Sequence, residues 1–407
     1  MGSTTAARLR GLGRFDALVL TALIWFLAKF LRYAFPPLFE PLQASYGVSN
    51  TAVGAAFTAF MVVYALLQFP SGLLADRLGS VTVIVGGALL AAAGAFGVAL
   101  EPPFLALVAA MVVIGAGTGA HKTVAIRLLS RAYPARTGRA LGVLDTIGTF
   151  GGVAAPAAVV AVASVPLLSP GWRTLFLAAG VTGVALAAAF LRRVPERLPD
   201  AGAAGGSDGG VALRQYLAVF AAPRFAAFVV ATLAFSFAYN GAVAFVPLYL
   251  SQEAGLSSAA ASGLYSLLFA LSLVQLATGE VGDRVGTLPV IVAALGVATV
   301  GLVSLVALTP TGNLLALGAA VVAFGIGSHG FRPVRGSFLI SSFPDSIAGG
   351  SLGVVRTLLM AAGAVSPVTV GYLSETVGFR PAFWLLAGSV AVATAICAAL
   401  LAIGDRS

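Results

Sequence analysis

Apolar runs of about 20 residues or more follow one another along almost the whole chain, separated by short polar turns. A helix of that length crosses the roughly 30 Å hydrocarbon core of a bilayer, because each residue rises about 1.5 Å. The runs lack the alternation of apolar and polar residues that marks the strands of a membrane barrel. They predict an all-α integral membrane protein with twelve transmembrane helices and the lipid bilayer as its main partner.

Composition agrees with this prediction, since 59% of the residues are hydrophobic and 9% are charged, against about a quarter charged in soluble proteins. The net charge of +9 comes from basic residues scattered over the loops, with no basic patch, which excludes nucleic acid as a partner. Cys397 is the single cysteine, so no disulfide can form within the chain and no cysteine-built metal site is possible. We expect no metal and no cofactor.

The polar turns define the predicted spans and two bundles. The spans are 15–38, 51–74, 81–100, 104–127, 140–163, 172–191, 225–250, 259–278, 288–308, 314–338, 351–372 and 382–403. Pro36 and Pro37 mark the predicted end of the first. A Gly-rich linker, 194–222, separates a six-helix bundle, 15–193, from a second one, 223–403, and short tails, 1–14 and 404–407, flank them.

Loop charges predict the orientation. Most loop arginines fall on the side of the N-terminus, and only Arg173 and Arg380 fall on the other. Because positively charged loops stay inside, both termini and the linker are expected in the cytoplasm, and the protein in the cytoplasmic membrane.

The two halves are related by an internal repeat. Gly72-Leu-Leu-Ala-Asp-Arg-Leu-Gly79 returns as Gly279-Glu-Val-Gly-Asp-Arg-Val-Gly286. Residues 138–156 match 349–367 without a gap, which puts Asp145 at the position of Arg356. Gly117-Thr-Gly-Ala-His121 matches Gly325-Ile-Gly-Ser-His329, so the only two histidines are repeat mates. Two six-helix bundles in pseudo-twofold repeat are predicted.

The motif Gly-x-x-x-Asp-Arg-x-Gly between the second and third spans resembles the loop signature of the major facilitator superfamily. The resemblance covers essentially the whole chain and implies that family's fold, with secondary transport by rocker-switch alternating access. It implies that helices 1, 4, 7 and 10 line the substrate path. It also implies that Asp76 and Arg77, with Asp283 and Arg284 as mates, latch the cytoplasmic side. The alternative is that these four are polar turn residues.

The fifth span resembles the family's antiporter signature, a glycine- and proline-rich helix. Such residues also serve close helix packing and bending, and this is the role we assign. The residues assigned to helix packing are Gly72, Gly79, Gly142, Gly151, Pro156, Gly279, Gly286 and Pro367.

Six charged residues lie five or more residues from the ends of their predicted spans, and a charge at the centre of a span costs roughly 2.5–3.5 kcal/mol on insertion scales. They are Lys29, Arg32, Lys122, Asp145, Arg332 and Arg356. Lys29 and Arg32 share one helix face because they are three residues apart. The other four lie near the cytoplasmic ends of their spans, where the alternative is a snorkelling anchor. Five cations and one anion favour a small anionic solute, an organic acid or an inorganic anion.

These residues and their neighbours form the candidate site. The candidate substrate-binding residues are Lys29, Arg32, His121, Lys122, Tyr239, Asn240, His329 and Arg332. The candidate gating or coupling residues are Asp76, Arg77, Asp145, Asp283, Arg284 and Arg356. The histidines can relay protons or bind substrate, or they can be hydrogen-bonded structural residues. Asp145 can pair with Arg332 or Arg356 as a gate, or carry a coupling proton.

The sequence therefore predicts a monomeric transporter of a small solute and no enzyme, since no nucleophile triad, metal-ligand cluster or phosphate-binding loop is recognisable. A proton-coupled drug or metabolite efflux antiporter is the alternative transport function. A non-transporting membrane receptor of the same fold is the alternative outside transport.

Overall fold

The structure is a computed structural model that describes residues 15–164, 167–195, 219–342 and 348–404. Within these ranges the chain forms helices and turns and no strand. Eleven helices are long and apolar enough to cross a membrane, and a pair bent by 42° supplies the twelfth span. The predicted all-α membrane fold with twelve spans is confirmed.

The helices are numbered in chain order. In the first half they are α1 Asp16–Tyr46, α2 in two segments, Asn50–Leu66 and Gln68–Leu78, α3 Ser80–Ala99, α4 in two segments, Phe104–Gly119 and His121–Ala132, α5 Thr137–Ser164 and α6 Trp172–Arg193. In the second half they are α7 Pro223–Gln252, α8 in two segments, Ser258–Ala270 and Val274–Val285, α9 Thr287–Leu308, α10 Leu314–Ser341, α11 Ala348–Thr376 and α12 Phe379–Gly404.

The predicted end of the first helix at Pro36 and Pro37 is wrong, because α1 continues through both and through Pro41. Proline removes a backbone donor and usually ends a helix. Here the adjacent Phe35 is fully buried, so other helices pack closely around this part of α1. A membrane helix tolerates internal proline when neighbouring elements satisfy the freed backbone groups.

The described residues form two compact units. One contains the described residues up to 35 and those of 59–195, and the other contains 36–58 and the described residues from 219 onward. In the first unit α3 packs on α4 and α6, and in the second unit α9 packs on α10 and α12. The linker 194–222 falls largely on residues 196–218. Those residues, the tail 1–14 and residues 405–407 lie outside the described part of the chain.

Small residues allow the close helix pairs within each unit. A side chain on Gly117 of α4 would strike the backbone of Gly87 and Ala91 in α3. A side chain on Gly327 of α10 would likewise strike Ala294 and Ala298 in α9. Membrane helices associate through such backbone approaches, because lipid offers no hydrophobic gain from helix burial.

Candidate functional site

Trp25 of α1 is the centre of the polar cluster in the first unit. Its side chain is buried, with 4% of the residue exposed. The ring of His121 in α4 stacks on the indole with centroids 5.9 Å apart and an interplanar angle of 17°. Nε2 of His121 lies 3.0 Å from the carbonyl oxygen of Thr21. Because a carbonyl only accepts, Nε2 carries a proton and donates it, which holds the imidazole against α1.

Two lysine side chains reach the same indole. The Nζ atom of Lys29 lies 5.1 Å from the ring centroid of Trp25, and Nζ of Lys122 lies 5.3 Å from it. Both distances are within the range of a cation–π interaction. Lys122 also forms an ion pair with Asp145 of α5, whose side chain is 61% exposed. The cluster therefore joins α1, α4 and α5.

Arg32 extends the cluster along α1. It is 8% exposed, and its guanidinium lies 5.3 Å from the rings of both Tyr33 and Tyr64. Lys29 lies 5.4 Å from the ring of Tyr33. The predicted pair Lys29 and Arg32 thus shares an aromatic neighbour as well as a helix face.

Glycines of α5 let this helix approach the cluster. A side chain on Gly148 would fall on the Trp25 ring, and one on Gly151 would meet the backbone nitrogen of Phe30 at 3.0 Å and Cβ of Lys29 at 3.1 Å. Gly142 differs, since no described atom lies within 4 Å of the position of its Cβ. Of the two α5 glycines that were predicted to serve helix packing, only Gly151 therefore makes a close contact in this structure. Pro156 is buried in the same helix.

The second unit carries a similar cluster around Tyr239 of α7. The guanidinium of Arg332 in α10 lies 4.4 Å from the centroid of the Tyr239 ring. The ring of His329, also in α10, meets Tyr239 edge-on at 6.0 Å and 79°. Asn240 donates from Nδ2 to the carbonyl oxygen of Ser236 at 2.9 Å. The backbone of Gly363 in α11 lies against Asn240.

Asp145 pairs with Lys122, and this corrects the predicted partners Arg332 and Arg356. Lys122 precedes Asp145 by 23 residues, on the helix before it. Comparison of the two halves pairs Asp145 with the cations of the second half, whereas the cation that it contacts lies on the preceding helix. Arg356 is exposed on α11.

The loop motif places its residues at the helix ends. Asp76 forms an ion pair with Arg127 of α4, and Arg284 pairs with Glu280 one turn earlier in α8. The pair of Asp76 and Arg127 lies within the first unit, and the pair of Glu280 and Arg284 lies within the second. Arg77 and Asp283 are exposed.

The glycines that close each motif have positive φ angles, 84° at Gly79 and 92° at Gly286. With ψ angles of 149° and 152°, both residues adopt a backbone conformation that is essentially open only to glycine, and they connect two helices. The glycines that open each motif make only ordinary contacts, at 3.7 Å for Gly72 and 3.9 Å for Gly279. In α11 the carbonyl oxygen of Pro367 lies against Gly54 of α2.

A family model described as Major Facilitator Superfamily matches residues 21–328 and 268–407. The chain belongs to the major facilitator superfamily. As the sequence predicted, it is a multi-pass membrane transporter of this family.

Three relatives within the superfamily match over most of their length. The chain is 24% identical over 379 residues to a probable 4-methylmuconolactone transporter of Cupriavidus pinatubonensis, covering 90% of this chain and 86% of that protein. It is 24% identical to a probable sulfoacetate transporter of Cupriavidus necator, covering 86% and 84%. It is also 24% identical to a hexuronate transporter of Bacillus subtilis, covering 86% of both.

Solved structures of superfamily members share the fold. A bacterial homologue of the human lysosomal transporter Spinster, inward-facing and occupied, has a TM-score of 0.81 at 17% identity, covering 96% of this chain and 97% of that chain. A D-xylose–proton symporter has a TM-score of 0.78 at 17% identity, covering 94% and 97%. At these identities the likeness shows the fold alone.

Proposed function

We propose that this protein is a secondary active transporter that moves a small organic anion across the cytoplasmic membrane by rocker-switch alternating access. The observation that carries the proposal is the clustering of Lys29, Arg32 and Lys122 around aromatic rings inside the first unit. We expect a monomer with both termini in the cytoplasm.

The charge balance of the cluster supports an anionic cargo. Each intramembrane cation costs roughly 2.5–3.5 kcal/mol on insertion scales, so three of them in one region point to a functional role. One of the three, Lys122, forms an ion pair with Asp145. A carboxylate or sulfonate suits such a cationic cluster, because charge-assisted hydrogen bonds are stronger and shorter than neutral ones. Arg332 in the second unit adds a cation of the same kind.

The relatives support the same class of cargo. Sulfoacetate and hexuronate, which appear in the names of two of them, are organic anions. The names of these three relatives mention neither an inorganic anion nor a cationic drug. The drug antiporter remains the alternative, and Gly151, which belongs to its signature, also has a packing role against α1.

The ion pair between Lys122 and Asp145 suggests how binding couples to a proton. A substrate carboxylate that binds Lys122 displaces Asp145, whose negative charge then loses its neighbour. Asp145 is the candidate carrier of a coupling proton, so that an anion and a proton would cross together.

Uptake into proteoliposomes tests the proposal. We expect saturable uptake of sulfoacetate or glucuronate by the wild type, and no saturable uptake of the cationic dye ethidium. Lys29→Met and Arg32→Met should each raise KM at least about tenfold, since a hydrogen bond to a charged group contributes about 1.5–3 kcal/mol. Arg192→Met, which removes an exposed cation from the end of α6, is the matched control.

Two results would contradict the proposal. One is the absence of uptake of both sulfoacetate and glucuronate together with transport of ethidium. The other is anion uptake that Lys29→Met and Arg32→Met leave unchanged. For the coupling step, Asp145→Asn should abolish uptake driven by a pH gradient and retain exchange of labelled for unlabelled anion.

A further inference from the structure

An aromatic side chain, a histidine and a cation meet in both units in the same helical order. In the first unit the aromatic is Trp25 of α1, and His121 with Lys122 comes from α4. In the second unit the aromatic belongs to α7, the first helix after the linker, and its histidine and arginine come from α10. The two histidines occupy equivalent positions of the repeat, Gly-x-Gly-x-His.

We propose that Trp25 is a positioning residue of the anion site, which holds the ammonium groups of Lys29 and Lys122 at fixed places, and that Tyr239 does the same for Arg332. The inference rests on the proposed function, anion transport, and adds the aromatic residues that set the affinity for the anion. Trp25 acts through the two lysines and does not itself contact the solute.

The indole is held firmly enough to serve this role. His121 stacks on it, and the imidazole is tied to α1 by its bond to the Thr21 carbonyl oxygen at 3.0 Å. The backbone of Gly148 in α5 lies against the ring, where any side chain would collide with it. With 4% of the residue exposed, Trp25 has little room to change rotamer. The histidine of the first unit is therefore a structural support for the indole.

The lysines need such a support because each has a long, flexible side chain. Fixing a lysine in one conformation costs side-chain entropy. Two ammonium groups that both lie within 5.3 Å of one ring centroid also repel each other. Attraction of each ammonium group to the negative face of the indole offsets the entropy cost and the repulsion. This attraction is strongest when the cation is desolvated.

This arrangement makes a kinetic prediction. If the rings only position the cations, their loss should weaken anion binding without slowing the conformational change that carries the anion. KM should rise while the maximal rate of uptake stays the same. A ring with only a packing role would lower the amount of folded protein and the maximal rate together.

The first experiment uses the fluorescence of Trp25 to detect its contact with Lys29 and Lys122, and it needs no ligand. Trp25 becomes the only tryptophan after Trp172→Phe and Trp384→Phe, since the chain has three tryptophans. The excited indole has a large dipole, so its emission maximum responds to nearby charges. Lys29→Met and Lys122→Met should each shift the emission of Trp25, whereas Arg192→Met should leave it unchanged. An emission maximum that neither lysine variant moves overturns the inference, whatever the protein transports.

The second experiment measures uptake of sulfoacetate and glucuronate into proteoliposomes. Trp25→Leu should raise KM about 3- to 30-fold, the range that one cation–π interaction implies. Trp25→Phe, which keeps a weaker π face, should recover part of this loss, and Tyr239→Leu and Tyr239→Phe should follow the same order. Trp384→Leu, at a half-exposed position of α12, controls for tryptophan loss alone.

The outcomes separate the two proposals. A KM that is equal in Trp25→Leu and the wild type, or equal in the Leu and Phe variants, overturns the positioning role and leaves anion transport standing. Failure of the wild type to take up either anion contradicts the proposed function for these probes. The emission of Trp25 in the two lysine variants then still decides whether the ring holds the lysines.

Discussion

Two glycines of α5 offer a matched test of how this helix packs. Gly151 and Gly142 lie on the same helix, and both belong to the glycine pattern of the fifth span. A side chain on Gly151 would meet the Phe30 nitrogen at 3.0 Å and Cβ of Lys29 at 3.1 Å. A side chain on Gly142 would meet no described atom within 4 Å. We predict opposite effects for Gly151→Ala and Gly142→Ala.

The magnitude follows from two terms. Replacing a helical glycine by alanine stabilises by about 0.5–1 kcal/mol, and this term is common to both variants. Overpacking against a backbone that cannot move costs about 1–3 kcal/mol, and only Gly151→Ala carries that term. The difference between the two unfolding free energies should therefore be about 1–3 kcal/mol, with Gly151→Ala the less stable. Gly142→Ala should be as stable as the wild type or slightly more so.

Unfolding by sodium dodecyl sulfate in mixed micelles, followed by helical circular dichroism, measures both variants under one set of conditions. Uptake should follow stability, because Gly151 lies against Lys29 and any displacement of α1 moves that lysine. Equal free energies for the two alanine variants, or a larger loss for Gly142→Ala, would refute the packing of α5 on α1 described above.

Two further predictions concern helix ends, and both use the same unfolding assay. Glu375 of α11 accepts hydrogen bonds at the start of α2, from the Thr51 nitrogen at 2.8 Å and from Thr51 Oγ1 at 2.5 Å; Glu375→Ala should cost about 1–2 kcal/mol, as for a lost helix cap, and Glu375→Gln less, because it keeps one acceptor. An unchanged stability for Glu375→Ala would show that water replaces the carboxylate there. Gly79→Ala should cost about 1–3 kcal/mol, because φ 84° with ψ 149° is a conformation that essentially only glycine adopts, whereas Gly86→Ala, with no described atom within 4 Å and no positive φ, should cost nothing; equal values for these two would contradict the glycine-specific conformation at Gly79.

The fold was predictable because its main determinant is local. A bilayer demands about 20 apolar residues per span, and the sequence shows each span directly. Pro36 and Pro37 are the exception, because proline locally predicts a helix end and α1 continues through both residues. Burial of the surrounding residues decides that point, and burial depends on helices that lie far away in the sequence. The 42° bend of α2 after Leu66 was not predicted, although Pro70 lies four residues further on and cannot donate a hydrogen bond to the Leu66 carbonyl oxygen.

The charged residues of the site were also predictable, since a charge inside an apolar run is visible without a structure. Their partners were not. The ion pair of Lys122 and Asp145 joins two helices, and its formation depends on how α4 and α5 rotate about their axes. Trp25 was visible in the sequence as a residue on the face of Lys29 and Arg32. Its stacking on His121, 96 positions further along, needs the packing of α1 against α4.

The aromatic partners of the two histidines cannot be found by comparing the sequences of the two halves. Matching identities found His121 and His329, because both are histidines in the same glycine pattern. Their ring partners are Trp25 and Tyr239, which differ in type and match no motif. A cation requires only a π face, and tryptophan and tyrosine both provide one. If the two rings position cations, exchanging their types should preserve uptake better than removing the ring: Trp25→Tyr should give a KM closer to the wild type than Trp25→Leu does, and the reverse order would contradict a π-face requirement.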